Sequence, residues 1–365
     1  MAERKTGKAA KTPKTGKAAG GGKKAAPAGR VVNLALQGGG SHGAFTWGVL
    51  DRLLEDGRLS FEGISGTSAG AINGALLICG LAKGGPEGAR ALLEELWSRV
   101  GEHAAFAPFQ PTWMDRLSGN PNLDNSPAYV AFDMMLRLAS PYQFNPLDYN
   151  PLRGILTELI DPNTMRASRQ PRLYVSATDV LNGRLKVFAN DELSIEALLA
   201  SACLPFLFQA VQIEGSSYWD GGYMGNPTLY PLLHSCAAQD VVVVQINPIH
   251  RPDVPMTPTA IIDRMNEIGF NSTFLRETRA MALINRLLEE RKLDPETCGL
   301  KPIHLHLIGA EAEMSRYTTS SKFNADFSFI MDLHALGRET ASAWLDDPYD
   351  SLGQRTTFEA GALFI

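Results

Sequence analysis

The residue best suited to chemistry in this chain is Ser68, within Gly66-Thr67-Ser68-Ala69-Gly70. A serine between two glycines at a strand-to-helix turn is held in a strained conformation, with its hydroxyl exposed as a nucleophile for acyl transfer. The glycines remove side chains that would collide across the turn. The N-terminus of the following helix favours developing negative charge. The pattern is short enough to arise as a plain glycine turn, so its weight depends on what stands with it.

A second glycine-rich turn is Gly38-Gly39-Gly40-Ser41-His42-Gly43. Acyl transfer needs backbone N–H groups directed at the forming oxyanion, and glycines let the backbone come that close. Gly38, Gly39 and Gly40 are therefore the candidate oxyanion hole, supported by Gly43, Gly66 and Gly70. A phosphate-binding loop is the rival reading. No Gly-Lys-Ser/Thr ending follows, which argues against a P-loop. Gly38, Gly40 and Gly43 do keep the spacing of a dinucleotide fingerprint, but nucleotide binding leaves the Ser68 turn unexplained.

A base must accompany the serine. Asp220-Gly221-Gly222 ends a short apolar segment, and the two glycines let a carboxylate approach a second loop. Asp-Gly is also an ordinary β-turn pair. A Ser-His-Asp triad is the alternative, drawing on His234, His250, His304, His306 or His334. None of these lies in a recognisable catalytic context. His304 and His306 alternate with Leu305 and Leu307 and are expected to be structural. His42 is expected to orient the glycine loop or a substrate headgroup.

These residues need strands and turns to hold them. Val31 to Leu36 is a short apolar run suited to a buried strand, and a helix with Phe45, Val49, Leu50, Leu53 and Leu54 on one face follows the glycines. Gly63 to Ser65 predicts a second strand, followed by a small-residue helix over Ala69 to Leu81. Strand, glycine turn and helix, twice over, predict α/β architecture. Residues 101–150 are rich in Pro and aromatics and are expected to form an irregular insertion, with a helix near Ala128 to Leu138. The insertion could form a lid or acyl-chain wall, or pack as ordinary core. Further strands are predicted at 173–178, 184–188, 211–213, 217–219, 241–246 and 303–308. Helices are predicted at 194–202 and about 325–346, and a long charged helix, or a pair, at about 258–292.

The net charge of -5 is unevenly spread. Residues 1–30 hold nine Lys/Arg and one acid, Glu3, which leaves 25 basic and 38 acidic residues beyond them, a net of about -13. The acidic body argues against a broad nucleic-acid footprint. The Lys/Ala/Gly-rich segment 1–30 has too little apolar surface to fold and is expected to be a disordered tail, with 31–365 as one catalytic domain. This tail is a candidate for peripheral contact with an anionic membrane or granule surface. It lacks the apolar core of a secretory signal, and no stretch reaches the ~18 apolar residues of a membrane span. Cys79, Cys203, Cys236 and Cys298 are scattered without a CxxC pair. A reduced, cytoplasmic setting is expected.

Taken in order, Gly38 to Gly43, Gly66 to Gly70 and Asp220 to Gly222 resemble the patatin-like phospholipase family, of bacterial type. Ala200-Ser201-Ala202-Cys203-Leu204-Pro205-Phe206 looks like that family's approach to its Asp-Gly-Gly turn. The resemblance covers about residues 31–250 well. It implies a three-layer α/β/α sandwich with a mainly parallel central sheet. It also implies a Ser68–Asp220 dyad rather than a triad, an acyl-serine intermediate, and lipid ester hydrolysis without metal or cofactor. The family often carries Arg or Lys where His42 stands, which bears on headgroup preference and pH response. A non-catalytic scaffold, or an acyltransferase using the same acyl-serine, are the alternative readings.

Overall fold

In the computed structural model, residues 29–104 and 110–358 are described. The chain opens with strand β1 (Arg30–Leu36), helix α1 (Gly43–Asp56), strand β2 (Leu59–Thr67) and helix α2 (Ala69–Ala104). Both predicted strand–turn–helix units are present. Helix α2 is kinked at Gly84 and Gly85, whose backbone is non-helical, so its first limb stops near the expected end at Leu81. Arg30, expected in the tail, belongs to β1. Its guanidinium donates to the Tyr349 carbonyl at 2.8 Å and lies over the Tyr349 ring. The rest of the basic segment, 1–28, lies outside the described residues.

The insertion is more helical than its composition suggests. It holds α3 (Trp113–Ser118), α4 (Pro127–Leu138) and α5 (Pro141–Phe144), and α6 (Pro151–Leu159) and α7 (Pro162–Ala167) follow. Two of the prolines that suggest irregularity start helices, as do two that follow the insertion. Pro127, Pro141, Pro151 and Pro162 each occupy a first turn, where no backbone N–H is required. Thr112 with Asp115, and Ser140 with Gln143, add capping boxes. Phe106 and Phe109, two of the insertion's aromatics, lie outside the described residues.

The remaining elements are β3 (Arg172–Asp179), β4 (Arg184–Ala189), α8 (Ile195–Ser201), β5 (Val211–Ile213), β6 (Ser216–Asp220), α9 (Tyr230–Ser235), β7 (Asp240–Gln245), α10 (Pro258–Glu289), α11 (Pro295–Cys298), β8 (His304–Gly309), α12 (Glu311–Met314) and α13 (Phe327–Asp346). One eight-stranded sheet runs β5-β6-β3-β2-β1-β7-β8, with β4 beside β3. The four central pairings, β3–β2, β2–β1, β1–β7 and β7–β8, are parallel. The edge pairings through β4, β5 and β6 are antiparallel.

Central strands buried on both faces read as continuous apolar runs, and the alternation along them sorts the layers. Leu34, Leu36, Val242 and Val244 pack into the cluster formed with α1, α2 and α13. Ala35, Val241 and Val243 face the other way, against Leu229, Leu232, Phe274 and Met281. The sheet is thus covered on both sides, as a three-layer α/β/α sandwich requires. No helix among the described residues is long and apolar enough to cross a membrane.

Candidate active site

In a parallel sheet, ligands bind beyond the carboxyl ends of the strands. Gly38 follows β1, Ser68 follows β2, and Asn247 follows β7, all at that end. The register brings Asp220 to the same place, since Thr67 pairs with Ser176 across β2–β3, and the next residue of β3, Ala177, pairs with Asp220 on β6. The two candidate catalytic residues, 152 positions apart, therefore come from neighbouring rows of one sheet. Their side chains come together, the Ser68 hydroxyl close enough to the Asp220 carboxylate to favour its charged form.

Ser68 has φ of 53°, a left-handed conformation that costs a non-glycine residue energy and persists only where the surroundings enforce it. Gly66 and Gly70 flank it in the turn. The enforcing contacts are specific. The Ser68 carbonyl accepts the Ile72 amide at 3.1 Å, starting α2, and its own N–H donates to the Ser201 hydroxyl at 2.8 Å. The Thr67 hydroxyl donates to the Gly225 carbonyl at 2.7 Å.

Asp220 is buried, and its Oδ1 accepts the Gly222 N–H at 2.7 Å. Its backbone is tied down by Asp220 N–H to the Cys203 carbonyl at 2.7 Å and by the Thr178 hydroxyl to the Asp220 carbonyl at 2.8 Å. Burial pushes its carboxyl up to about 6, against the opposing pull of the Gly222 N–H, the Ser68 hydroxyl and the positive charge of Lys322. The segment Ala200 to Phe206 thus holds both partners: Ser201 takes the Ser68 amide and Cys203 takes the Asp220 amide.

The glycine loop lies directly beside Ser68. A Cβ on Gly38 would stand 2.5 Å from the Thr67 carbonyl oxygen, and one on Gly40, at φ +58°, would stand 2.5 Å from the Lys322 carbonyl oxygen. The three candidate oxyanion donors are not equivalent. The Gly38 N–H is already given to Asn226 Oδ1 at 2.6 Å, and its carbonyl accepts Asn226 Nδ2 at 3.2 Å and Asn247 Nδ2 at 2.8 Å. That double clamp corrects the expectation for Gly38: it anchors the loop and has no N–H to offer an oxyanion. The Gly39 and Gly40 amides donate to no acceptor among the described residues. Gly43 opens α1, where its carbonyl accepts Asn73 Nδ2 at 3.0 Å. Gly221 and Gly222 turn the chain after Asp220 in a short 3-10 helix.

His42 is buried beneath the loop, with Nε2 2.8 Å from the Ser321 hydroxyl and its ring against Tyr317 and Phe329. Burial, then the charges of Lys322 and Arg251, hold its pKa well below the usual imidazole value. It does not line the cavity in front of Ser68, so of the two roles expected for it, orienting the loop is the one this position allows. The triad candidates lie elsewhere. His306 bonds Asp240 at 3.0 Å and His304 lies 3.4 Å from the same carboxylate, at the amino ends of β7 and β8. His334 packs at a tilt on Trp47 beside Asp51, and His234 packs at a tilt against Tyr230.

A cavity of about 640 Å³ opens from Ser68, Asp220 and the glycine loop. Its walls are chiefly apolar, built from Ile72, Leu96 and Trp97 of α2, the segment Leu204 to Phe208, and Phe270 of α10. Tyr129, Phe132 and Leu136 of the insertion add to them. The insertion therefore serves as cavity wall through α4, while its Trp113, Leu117 and Leu147 are exposed. Sequence reasoning missed Ser201, Asn226, Asn247 and Lys322. The first two sit in or just after segments already singled out; the last two carry no local signal.

The family model for patatin-like phospholipases matches residues 34–233, from the middle of β1 to the end of the Asp220 segment and into α9. No curated protein matches the chain. Among solved structures it is similar to VipD from Legionella pneumophila, at 14% identity and a TM-score of 0.34, over 85% of this chain and 67% of that one. It is also similar to ExoU, solved in complex with SpcU from the type III secretion system of Pseudomonas aeruginosa, at 14% identity and a TM-score of 0.29. That match covers 86% of this chain and 53% of ExoU, so the chain spans about half of that relative's length. TM-scores this low leave the assignment to the sequence match, which takes in the glycine loop, the Ser68 turn and Asp220: the chain belongs to the patatin-like phospholipase family.

Proposed function

We propose that this protein is a serine hydrolase of lipid acyl esters, of phospholipase A or lysophospholipase type, working through Ser68 and Asp220. The observation that carries the reading is the juxtaposition of the Ser68 hydroxyl and a buried carboxylate pushed up to about 6, at the head of a chiefly apolar cavity. A carboxylate at its ordinary value is a weak base for a serine; burial brings it near the operating pH of a useful one. The cavity falls within the roughly 300–1,000 Å³ of small-molecule sites, and its apolar walls suit an acyl chain.

In this mechanism Ser68 Oγ attacks the ester carbonyl while its proton passes to Asp220. The negative charge forming on the carbonyl oxygen is met by the Gly39 and Gly40 N–H groups and by the amino end of α2. The tetrahedral intermediate collapses, the alcohol leaves with the proton held by Asp220, and an acyl-serine remains. Water, deprotonated by the same carboxylate, releases the fatty acid and restores Ser68. The 3-10 turn after Asp220 fixes the carboxylate through the Gly222 backbone amide. A fluorophosphonate probe tests the reading: it is expected to label Ser68 in the wild-type protein and to leave Ser68→Ala unlabelled. Absence of label at Ser68 in folded protein would overturn it.

A further inference from the structure

We infer that Lys322 is a specificity-determining residue whose ammonium receives the phosphate of a glycerophospholipid bound with its ester at Ser68; the inference rests on the hydrolase reading above. Lys322 lies beyond the matched family segment, in the 3-10 turn Thr319–Phe323 that packs on the glycine loop. Its carbonyl faces Gly40 and its side chain lines the cavity. Nζ donates to Asn247 Oδ1 at 2.8 Å and sits 5.7 Å from the centre of the Phe270 ring. Asn247 is the same residue whose Nδ2 clamps the Gly38 carbonyl. The ammonium is therefore attached to the loop that would hold the oxyanion.

Its charge is incompletely answered. An ammonium has three donors, and one protein acceptor is found here. Among the described residues no carboxylate oxygen lies within ion-pair distance of Nζ. The nearest acidic helix, α10, spends Glu267 on Arg251 and Arg264. Removing a charge from bulk water without a partner is costly, and burial here pulls the Lys322 pKa down, while Glu267, Asp263 and Asp220 act on it only through space. The same cavity is lined by the carboxylates Asp124, Asp133, Asp220 and Asp263 and by Arg137, which is paired with Asp133; Lys322, with open donors and none of these within ion-pair distance, is the cation placed to accept an anion that enters with the ligand. In a glycerophospholipid the phosphate lies a few bonds from the scissile ester, whereas a neutral acylglycerol offers nothing for this group to bind. His42, neutral and turned under the loop, does not compete for the role.

The test compares lysophosphatidylcholine with a monoacylglycerol of the same acyl chain, in the wild-type protein, Lys322→Met and Lys322→Arg. The wild-type protein is expected to prefer the phosphate-bearing lipid in kcat/KM. A hydrogen bond to a charged group is worth about 1.5–3 kcal/mol, so Lys322→Met is expected to cut the ratio of the two kcat/KM values by about 10- to 100-fold. Lys322→Arg is expected to retain most of the ratio. The monoacylglycerol reports on the hydrolase assignment alone, and the ratio reports on Lys322 alone. No wild-type preference would overturn the inference without any variant. So would an unchanged ratio in Lys322→Met, which would place the ammonium's effect on the oxyanion or on Asp220. Inhibition by inorganic phosphate with no discrimination between the two lipids would assign the ammonium to a free anion and overturn it as well.

Discussion

Two buried aspartates in this molecule share a burden and meet it in opposite ways. Asp51, on α1, and Asp220, at the end of β6, are both withdrawn from water, and burial raises both carboxyls. Asp51 is met by two guanidinium groups and an imidazole. Arg90 Nε lies 2.5 Å away, Arg338 bonds its other oxygen, and His334 Nε2 is 3.4 Å distant. These partners overcome burial and hold its carboxyl well below the usual carboxylate range. Among the described residues Asp220 has only neutral donors beside it, the Gly222 N–H at hydrogen-bond distance and the nearby Ser68 hydroxyl, so burial wins. A carboxylate whose ionisation is fully supported ties α1 to α2 and α13 but has no appetite for a proton. One left short of cations is costly to ionise and can take a proton from a neighbour.

The largest effect that sharpens this contrast is on activity. If Ser68 and Asp220 form the proposed dyad, Ser68→Ala and Asp220→Asn are each expected to lower kcat/KM on an ester substrate on the order of 10⁴-fold or more, because the members of such a dyad act as a unit. Asp51→Asn is expected to leave catalysis largely intact. Full activity in Asp220→Asn would break the comparison at its functional end.

Stability should order the same two variants the other way. Asp51→Asn leaves Arg90 and Arg338 facing an amide, and since both guanidinium groups reach solvent the loss is expected to be about 2–3 kcal/mol rather than the larger cost of a fully buried pair. Asp220→Asn removes a carboxylate that is costly to ionise where it sits. The distance of about 6 from the ordinary carboxylate value corresponds to a gain of at most about 3 kcal/mol at neutral pH. The pH dependences have opposite signs. Asp51, with a folded pKa below its unfolded one, contributes stability present above the ordinary carboxylate range and lost as pH falls below it. Asp220, with a folded pKa above its unfolded one, favours the fold at low pH and loses that contribution as pH rises through about 6. Thermal melting of both variants at pH 4 and pH 8 measures this. A gain for Asp220→Asn that is the same at both pH values would show that ionisation is not its cause.

Activity carries the same sign. The base must be unprotonated, so kcat/KM is expected to rise about tenfold per pH unit below about 6 and to level above it. A profile flat through pH 5–7 would remove Asp220 as the titrating base.

Much of this contrast was open to sequence reading at one end and closed at the other. The strands carrying Gly38 and Ser68 are local apolar runs ended by glycines, and their order suffices to predict an α/β sheet. Asp220 could be paired with Ser68 because the three motifs together resemble one family. Asp51 could not be given its partners, since Arg90 and Arg338 come from other helices and no local spacing links them. Lys322 and Asn247 are hidden for the same reason: each reaches the loop by tertiary packing from a segment without a motif. The insertion misled in a different way. Its prolines suggest broken structure, yet Pro127 and Pro141 stand at helix starts, where the missing N–H costs nothing. The commitment of the Gly38 amide to Asn226 depends on a side chain 188 positions away.

The smallest effect tests how the site is held. Ser201 is buried on α8 and its hydroxyl accepts the N–H of Ser68. Asp51 needs no such help, because two guanidinium groups hold it at once. Ser68 sits at φ 53° with its amide resting on this single neutral acceptor. Ser201→Ala would leave that N–H buried without a partner, a cost of about 1–3 kcal/mol. If the turn relaxes to recover a bond, the hydroxyl moves off Asp220 and kcat falls, by about tenfold for a shift worth 1.4 kcal/mol, with KM nearly unchanged. Fluorophosphonate labelling should slow in parallel. A loss of melting temperature with unaltered labelling would mean that the glycines alone hold the strained turn, and that Ser201 only supports α8.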